Sequence, residues 1–144
     1  AERVRAWVGK AVAGGATVLA GGERDGAVVE ATLVEGAAPG ARILDDEVFG
    51  PVATLVRVPD FEAALREVNR SRYGLQAGVL TEDRARAARA FEALEVGAVV
   101  VGDVPTWRAE AMPYGGVKDS GLGREGPRYA IEALTEPRLL VERT

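Results

Sequence analysis

The chain has 144 residues, 47% hydrophobic and 28% charged, with a mean hydropathy near zero, which is enough for one globular domain with a real core. Its net charge of −4, with both signs mixed along the chain, offers no basic footprint for nucleic acid and no polybasic membrane patch, and no apolar run approaches the roughly 20 residues of a spanning helix. Cysteine and histidine are both absent, which excludes disulfides, thiolate catalysis, Ser-His triads and the usual zinc ligand sets within these residues.

Val4, Trp7, Val8, Ala11 and Val12 recur at helical spacing, with Arg3, Arg5 and Lys10 off that face, so the first segment is predicted to be a helix stopped at Gly14-Gly15. It is amphipathic rather than a signal peptide, and the cytoplasm is the expected compartment. It begins at residue 1 without an initiator Met or a cap, which points to a piece of a longer protein. Thr17 to Ala20 is a strand candidate, Gly21-Gly22 and Asp25-Gly26 are turn signals, and Val28 to Val34 is a second strand. A loop with Pro39-Gly40 leads through Arg42 to Leu44 into Asp45-Asp46-Glu47, where the two aspartates are expected to form a solvated acidic turn.

Glu47-Val48-Phe49-Gly50-Pro51-Val52 is the stretch around which the rest is arranged. Gly50 lacks a Cβ, Pro51 fixes φ at about −65° and disfavours helical geometry just before it, so Glu47 and Phe49 stand on a rigid corner. A carboxylate accepts hydroxyl donors and an aromatic ring covers an apolar face, so the pair suits a flat, polar ligand.

Val52 to Val58 is predicted to be a buried strand, Asp60 an N-cap, and Phe61, Ala64, Leu65 and Val68 one face of a helix running to Asn69. Tyr73-Gly74-Leu75 closes that unit and Gln76 to Leu80 is a further strand. Thr81 is the expected cap of the next helix, which buries Ala85, Ala88, Phe91, Ala93 and Leu94 before Gly97 ends it and the strand Ala98 to Val101 begins. Strands alternating with helices of this length predict an α/β fold of parallel-sheet βαβ units with covering helices.

Gly102 to Met112 has no period and reads as a loop leaving the C-terminal end of a strand, where α/β proteins put ligands. Within it, Arg108 beside Trp107 is a candidate anion contact, weighed against an ordinary surface ion pair. The glycine-dense run from Pro113 to Gly126 contains a literal G-x-G-x-x-G at Gly121, Gly123 and Gly126. It is not expected to bind a dinucleotide, because no strand runs directly into the glycines. Arg128 to Leu134 is predicted as a helix and Arg138 to Glu142 as a strand.

Three sets of residues resemble the C-terminal part of the catalytic domain of the aldehyde dehydrogenase superfamily, and the likeness extends over nearly the whole chain. They are Glu47 to Val52, Asn69 with Tyr73-Gly74-Leu75, and Pro113 to Gly121 with Gly123-Arg124-Glu125. The resemblance implies that Glu47 holds the nicotinamide ribose hydroxyls of NAD or NADP, that Phe49 lies near the nicotinamide, and that Tyr114 lines the substrate tunnel; Trp107 and Arg108 stay substrate candidates on their loop position alone. It also implies that an aldehyde is oxidised to a carboxylic acid by groups this chain lacks: the nucleophilic Cys, the general-base Glu, an oxyanion-holding Asn and the cofactor domain, all upstream. The chain is then an incomplete aldehyde dehydrogenase catalytic domain over residues 1–136, with 137–144 as the C-terminal strand of the oligomerisation region of a homo-oligomer, and alone it is expected to be inactive. Gly102-Asp103 departs from the family's common Asn-Asp. The alternative is a free-standing, non-catalytic interaction or oligomerisation module with the same fold.

Overall fold

The structure, a computed structural model, describes residues 1–144. Helix α1, Glu2–Ala13, buries Val4, Trp7, Val8 and Ala11, the stripe that its 3.6-residue period predicts. Val12 lies at the edge of that stripe and is exposed. The chain divides into two compact units, Ala1–Phe61 and Glu62–Thr144.

In the first unit, strand β1 (Thr17–Ala20) runs antiparallel to β4 (Thr32–Glu35), and β4 pairs in parallel with β5 (Val52–Leu55), giving the order β1-β4-β5. The single strand expected from Val28 to Val34 is interrupted. Val28–Val29 (β3) folds back on Arg24–Asp25 (β2) as a small hairpin, and a turn then resets the backbone before β4. Thr32 holds that turn: its hydroxyl donates to the Glu30 carbonyl at 2.7 Å and accepts from the Gly22 N–H at 3.1 Å, and the residue is buried. Val34, in the central strand, is fully buried and packs with Val8, Ala11, Ala16 and Ile43. β5 stops at Leu55 rather than Val58, because its partner β4 ends at the Glu35–Leu55 pair. Arg42–Asp45 forms a short helix, α2, where an acidic turn was expected; Asp46 pairs with Arg42 at 2.9 Å.

In the second unit, α3 (Phe61–Arg70) buries Leu65, leaving Val68 exposed. Strand β7 (Gln76–Val79), helix α4 (Arg84–Ala93) and strand β8 (Ala98–Val101) form a βαβ unit in which Gln76 pairs with Ala98 and Val79 with Val101 in parallel register. The architecture is therefore α/β with parallel βαβ units, although the parallel pairings are divided between β4–β5 and β7–β8 and accompanied by antiparallel ladders. One such ladder is β6 (Tyr73–Gly74) with β9 (Val117–Lys118), a strand inside the glycine-rich run that its composition conceals.

Three expectations are corrected here. Asp83, not Thr81, caps α4, accepting from the N–H groups of Ala85 and Arg86 at 2.8 and 3.2 Å, while Thr81 Oγ1 accepts from the Asp83 N–H. The buried face of α4 is Ala90, continued by Leu94; Ala85, Ala88 and Phe91 face solvent. Helix α5, Pro127–Leu134, forms as expected, but residues 138–142 pair with nothing in this chain and form no strand, with Leu139, Leu140 and Val141 exposed.

Candidate functional site

The corner at Glu47 is built by alternation. Val48 packs against the core of the first unit, and its neighbours Glu47 and Phe49 therefore project outward. Glu47 makes no hydrogen bond or ion pair, so its carboxylate oxygens are open acceptors, and the Phe49 ring is 81% exposed. Phe49 holds φ at +50°, a left-handed conformation that costs a bulky residue about 1–3 kcal/mol unless its surroundings enforce it. They do so on both sides. A Cβ on Gly50 would come within 2.7 Å of the Val4 side chain in α1, the Pro51 carbonyl accepts from the Thr32 N–H at 2.8 Å, and the Val48 carbonyl accepts from Arg3 at 2.9 Å. Any side chain at position 50 would force the buried Val4 to shift. A shallow groove of about 530 Å³, lined by Gly50, Pro51, Val52, Thr32 and Ala20, lies beside the corner.

In the second unit, Arg108 and Tyr114 meet in and after the loop that follows β8, while Trp107 lines a cavity that neither of them lines. Gly102 turns the chain out of the strand with φ at +83°, a region open chiefly to glycine and asparagine. Asp103 then accepts from the Val104 N–H at 2.7 Å. Trp107 lines a cavity of about 470 Å³ with Met112, Asp103 and the residues of β8. The Arg108 guanidinium stacks on the Tyr114 ring at 4.1 Å and donates through Nη2 to Glu125 at 3.0 Å. Tyr114 and Glu125 are in turn joined by two backbone hydrogen bonds, at 3.1 and 2.6 Å. That ion pair engages one of five guanidinium N–H donors and leaves Nε and Nη1 unengaged.

The literal G-x-G-x-x-G does not form a phosphate cradle. The strand before it is a two-residue antiparallel piece, and Arg124 folds into the loop, donating to the carbonyls of Gly116 at 3.0 Å and Gly123 at 2.7 Å. Asn69 and Lys118, which also belong to the resembling motifs, join secondary-structure elements to one another. The Asn69 side chain donates to the Ala93 carbonyl at 2.7 Å and accepts from the Glu95 N–H at 2.9 Å; Lys118 donates to the carbonyls of Asn69 and Ser71 and pairs with Glu95 at 2.8 Å. Sequence reasoning missed Arg3, Trp7 and Arg42, whose convergence near Glu47 has no local signal.

A βαβ unit that sends a long, aromatic-bearing loop from the C-terminal end of its second strand has the organisation of an α/β ligand-binding enzyme. The chain belongs to the aldehyde dehydrogenase family, whose model matches residues 1–140. It is 44% identical, over 98% of its own length and 30% of the relative's, to the 3-sulfolactaldehyde dehydrogenase of Priestia megaterium. Its structure superposes with a TM-score of 0.96 and 44% identity on aldehyde dehydrogenase 21 of Physcomitrella patens in complex with the reaction product succinate, covering 99% of this chain and 30% of that one. It is also similar, with a TM-score of 0.86 and 39% identity over 92% of this chain and 28% of the other, to the glyceraldehyde-3-phosphate dehydrogenase GapN of Methanocaldococcus jannaschii complexed with NADP. The chain thus spans about 30% of the length of the relatives it matches. No helix is long and apolar enough to cross a membrane.

Proposed function

We propose that the protein carrying this chain is an NAD(P)-dependent aldehyde dehydrogenase acting on a short aldehyde that bears an anionic group. The observation that carries the cofactor half is the Glu47 corner: an unpaired carboxylate and an exposed ring, held rigidly side by side, fit the two hydroxyls of a ribose and the face of the attached nicotinamide. When bound, NAD(P)+ accepts the hydride. Glu47 accepts hydrogen bonds from the ribose hydroxyls, and Phe49 covers an apolar face and excludes water. Across the whole reaction, aldehyde, water and NAD(P)+ give carboxylate, NAD(P)H and two protons. A nucleophilic Cys would belong to the rest of the protein, since this chain contains no cysteine. Residues 1–136 serve as the C-terminal part of the catalytic domain and 137–144 as a strand of the oligomerisation region of a homo-oligomer.

The substrate class rests on Arg108. Relatives named for 3-sulfolactaldehyde and glyceraldehyde-3-phosphate, and a neighbour holding succinate, all involve a small molecule with a sulfonate, phosphate or carboxylate. A guanidinium lying over Tyr114, with unengaged N–H groups, suits such an anion, and the cavity that Trp107 lines after β8 offers space for an apolar part of a substrate. Steady-state kinetics of Glu47→Gln in the complete enzyme tests the cofactor reading. The substitution keeps the shape but removes the charge, and is expected to raise the cofactor KM or slow hydride transfer by about 1–3 kcal/mol equivalent. Cofactor parameters equal to wild type would return Glu47 to a solvated side chain.

A further inference from the structure

Two arginines from different elements converge on one indole beside the Glu47 corner. Arg42 of α2 lies over the Trp7 ring with its guanidinium carbon 4.3 Å from the centroid, and Arg3 of α1 lies 5.2 Å from the same ring. Each then reaches a different side of Glu47. Arg42 Nε donates to the Asp46 carboxylate at 2.9 Å, immediately before it, and Arg3 Nη2 donates to the Val48 carbonyl at 2.9 Å, immediately after it. Trp7 is itself only 6% exposed, anchored in α1 between the buried Val4 and Val8, so the platform does not move with the surface.

We propose that Trp7, Arg3 and Arg42 form a clamp of positioning residues that holds Glu47 outward and Phe49 in its left-handed geometry. This rests on the reading of Glu47 and Phe49 as the cofactor contact. The physical need is on the same segment. Phe49 sits at a φ that its side chain disfavours, and Glu47 has no partner to hold it, so the corner relaxes unless its flanks are fixed. Stacking orients each guanidinium plane and leaves its edge N–H groups to hydrogen-bond, which an ammonium on a flexible stem cannot do. The clamp therefore needs arginine at both positions and an aromatic ring that both approach. It acts through the Asp46 carboxylate and the Val48 carbonyl on either side of Glu47.

The test uses the complete enzyme with the double variant Arg3→Ala, Arg42→Ala, both at exposed positions, so that the core of α1 is left intact, and Trp7→Phe as the variant that keeps a ring. Amide hydrogen exchange is read at Asp46, Thr32 and Val52, whose N–H groups donate to Arg42, Pro51 and Gly50 around the corner. Exchange there is expected to quicken about tenfold in the double variant, and the cofactor KM to rise by a similar factor, with the aldehyde KM unchanged and Trp7→Phe close to wild type. Unchanged exchange overturns the clamp. So does a cofactor KM that stays at the wild-type value in the double variant while Glu47→Gln raises it. Quickened exchange with a cofactor KM that neither the double variant nor Glu47→Gln moves would uphold the clamp and remove the cofactor role of Glu47.

Discussion

Glu47 and Phe49 point outward because Val48 between them is claimed by the core, and the same logic of neighbours governs Arg108. As a lone arginine on a loop it had two readings, a surface ion pair or an anion contact, and the structure shows the ion pair, with one donor on Glu125, the guanidinium over Tyr114 and the rest of the fork unengaged. If the proposed role holds, Arg108→Met in the complete enzyme keeps the stem's packing on Tyr114 but removes every charge-assisted donor. The kcat/KM for an aldehyde carrying a sulfonate or carboxylate is then expected to fall by about 1.5–3 kcal/mol equivalent, while that for an uncharged aldehyde of similar length changes little. Equal losses for both substrates would show that Arg108 maintains the loop instead. A second prediction concerns Thr32, buried with its hydroxyl both donating and accepting. Thr32→Val conserves volume but leaves the Gly22 N–H and the Glu30 carbonyl without that partner, and chemical denaturation of the chain should show a loss of about 1–3 kcal/mol.

At the scale of elements, the instructive case is α4. Its sequence, Arg-Ala-Arg-Ala-Ala-Arg-Ala-Phe-Glu-Ala, sets alanines on every side, so periodicity alone cannot say which face is inward, and the one large apolar residue, Phe91, is 72% exposed. The strands decide: Ala90 is completely buried, and only a residue without a longer side chain fits there. The start of α4 was displaced for a related reason. Thr81 and Asp83 are both good caps, and the one whose carboxylate reaches two helix N–H groups prevails, with Thr81 supporting it. Asp83→Ala should therefore cost about 1 kcal/mol and Thr81→Ala less, measured by denaturation of matched variants. Asn69 binds α3 to the end of α4 through two hydrogen bonds, and Asn69→Ala is expected to cost about 1–3 kcal/mol, more than the cap, because a partly buried carbonyl and an exposed N–H both lose their partner.

For the molecule as a whole, the exposed apolar surface is concentrated toward the C-terminal end. Ile131 and Leu134 of α5 face solvent together with Leu139, Leu140 and Val141, and α5 buries no residue at all. Exposed apolar side chains of this number favour association with another chain. The chain expressed by itself is thus expected to self-associate, and removal of residues 139–144 to shift it toward monomer, as read by light scattering at matched concentration. A chain that stays monomeric at high concentration, or a deletion with no effect, would count against that expectation. The missing strand at residues 138–142 is consistent with the same physics: alternating side chains supply a surface to pair, but a strand exists only when a neighbour completes its ladder.

What the sequence determined by itself was whatever depends on local covalent geometry. The α1 stripe, the apolar runs of β5, β7 and β8, the turn residues and the rigid Gly50-Pro51 corner could all be read from spacing and residue type, because backbone propensity and 3.6- or 2-residue periodicity act over a few residues. The family motifs were equally legible, as residues in order. What only the tertiary structure decided was partnership across long separations: β9 hidden among glycines and pairing with β6, Lys118 closing on Asn69 and Ser71, and two guanidiniums meeting on Trp7 from α1 and α2. Apart from Arg3, which lies one helical turn from Trp7 in α1, these contacts join groups tens of residues apart, their entropic cost is met only once the cores have formed, and no period or local propensity in the chain encodes that Arg42 will find the Trp7 ring.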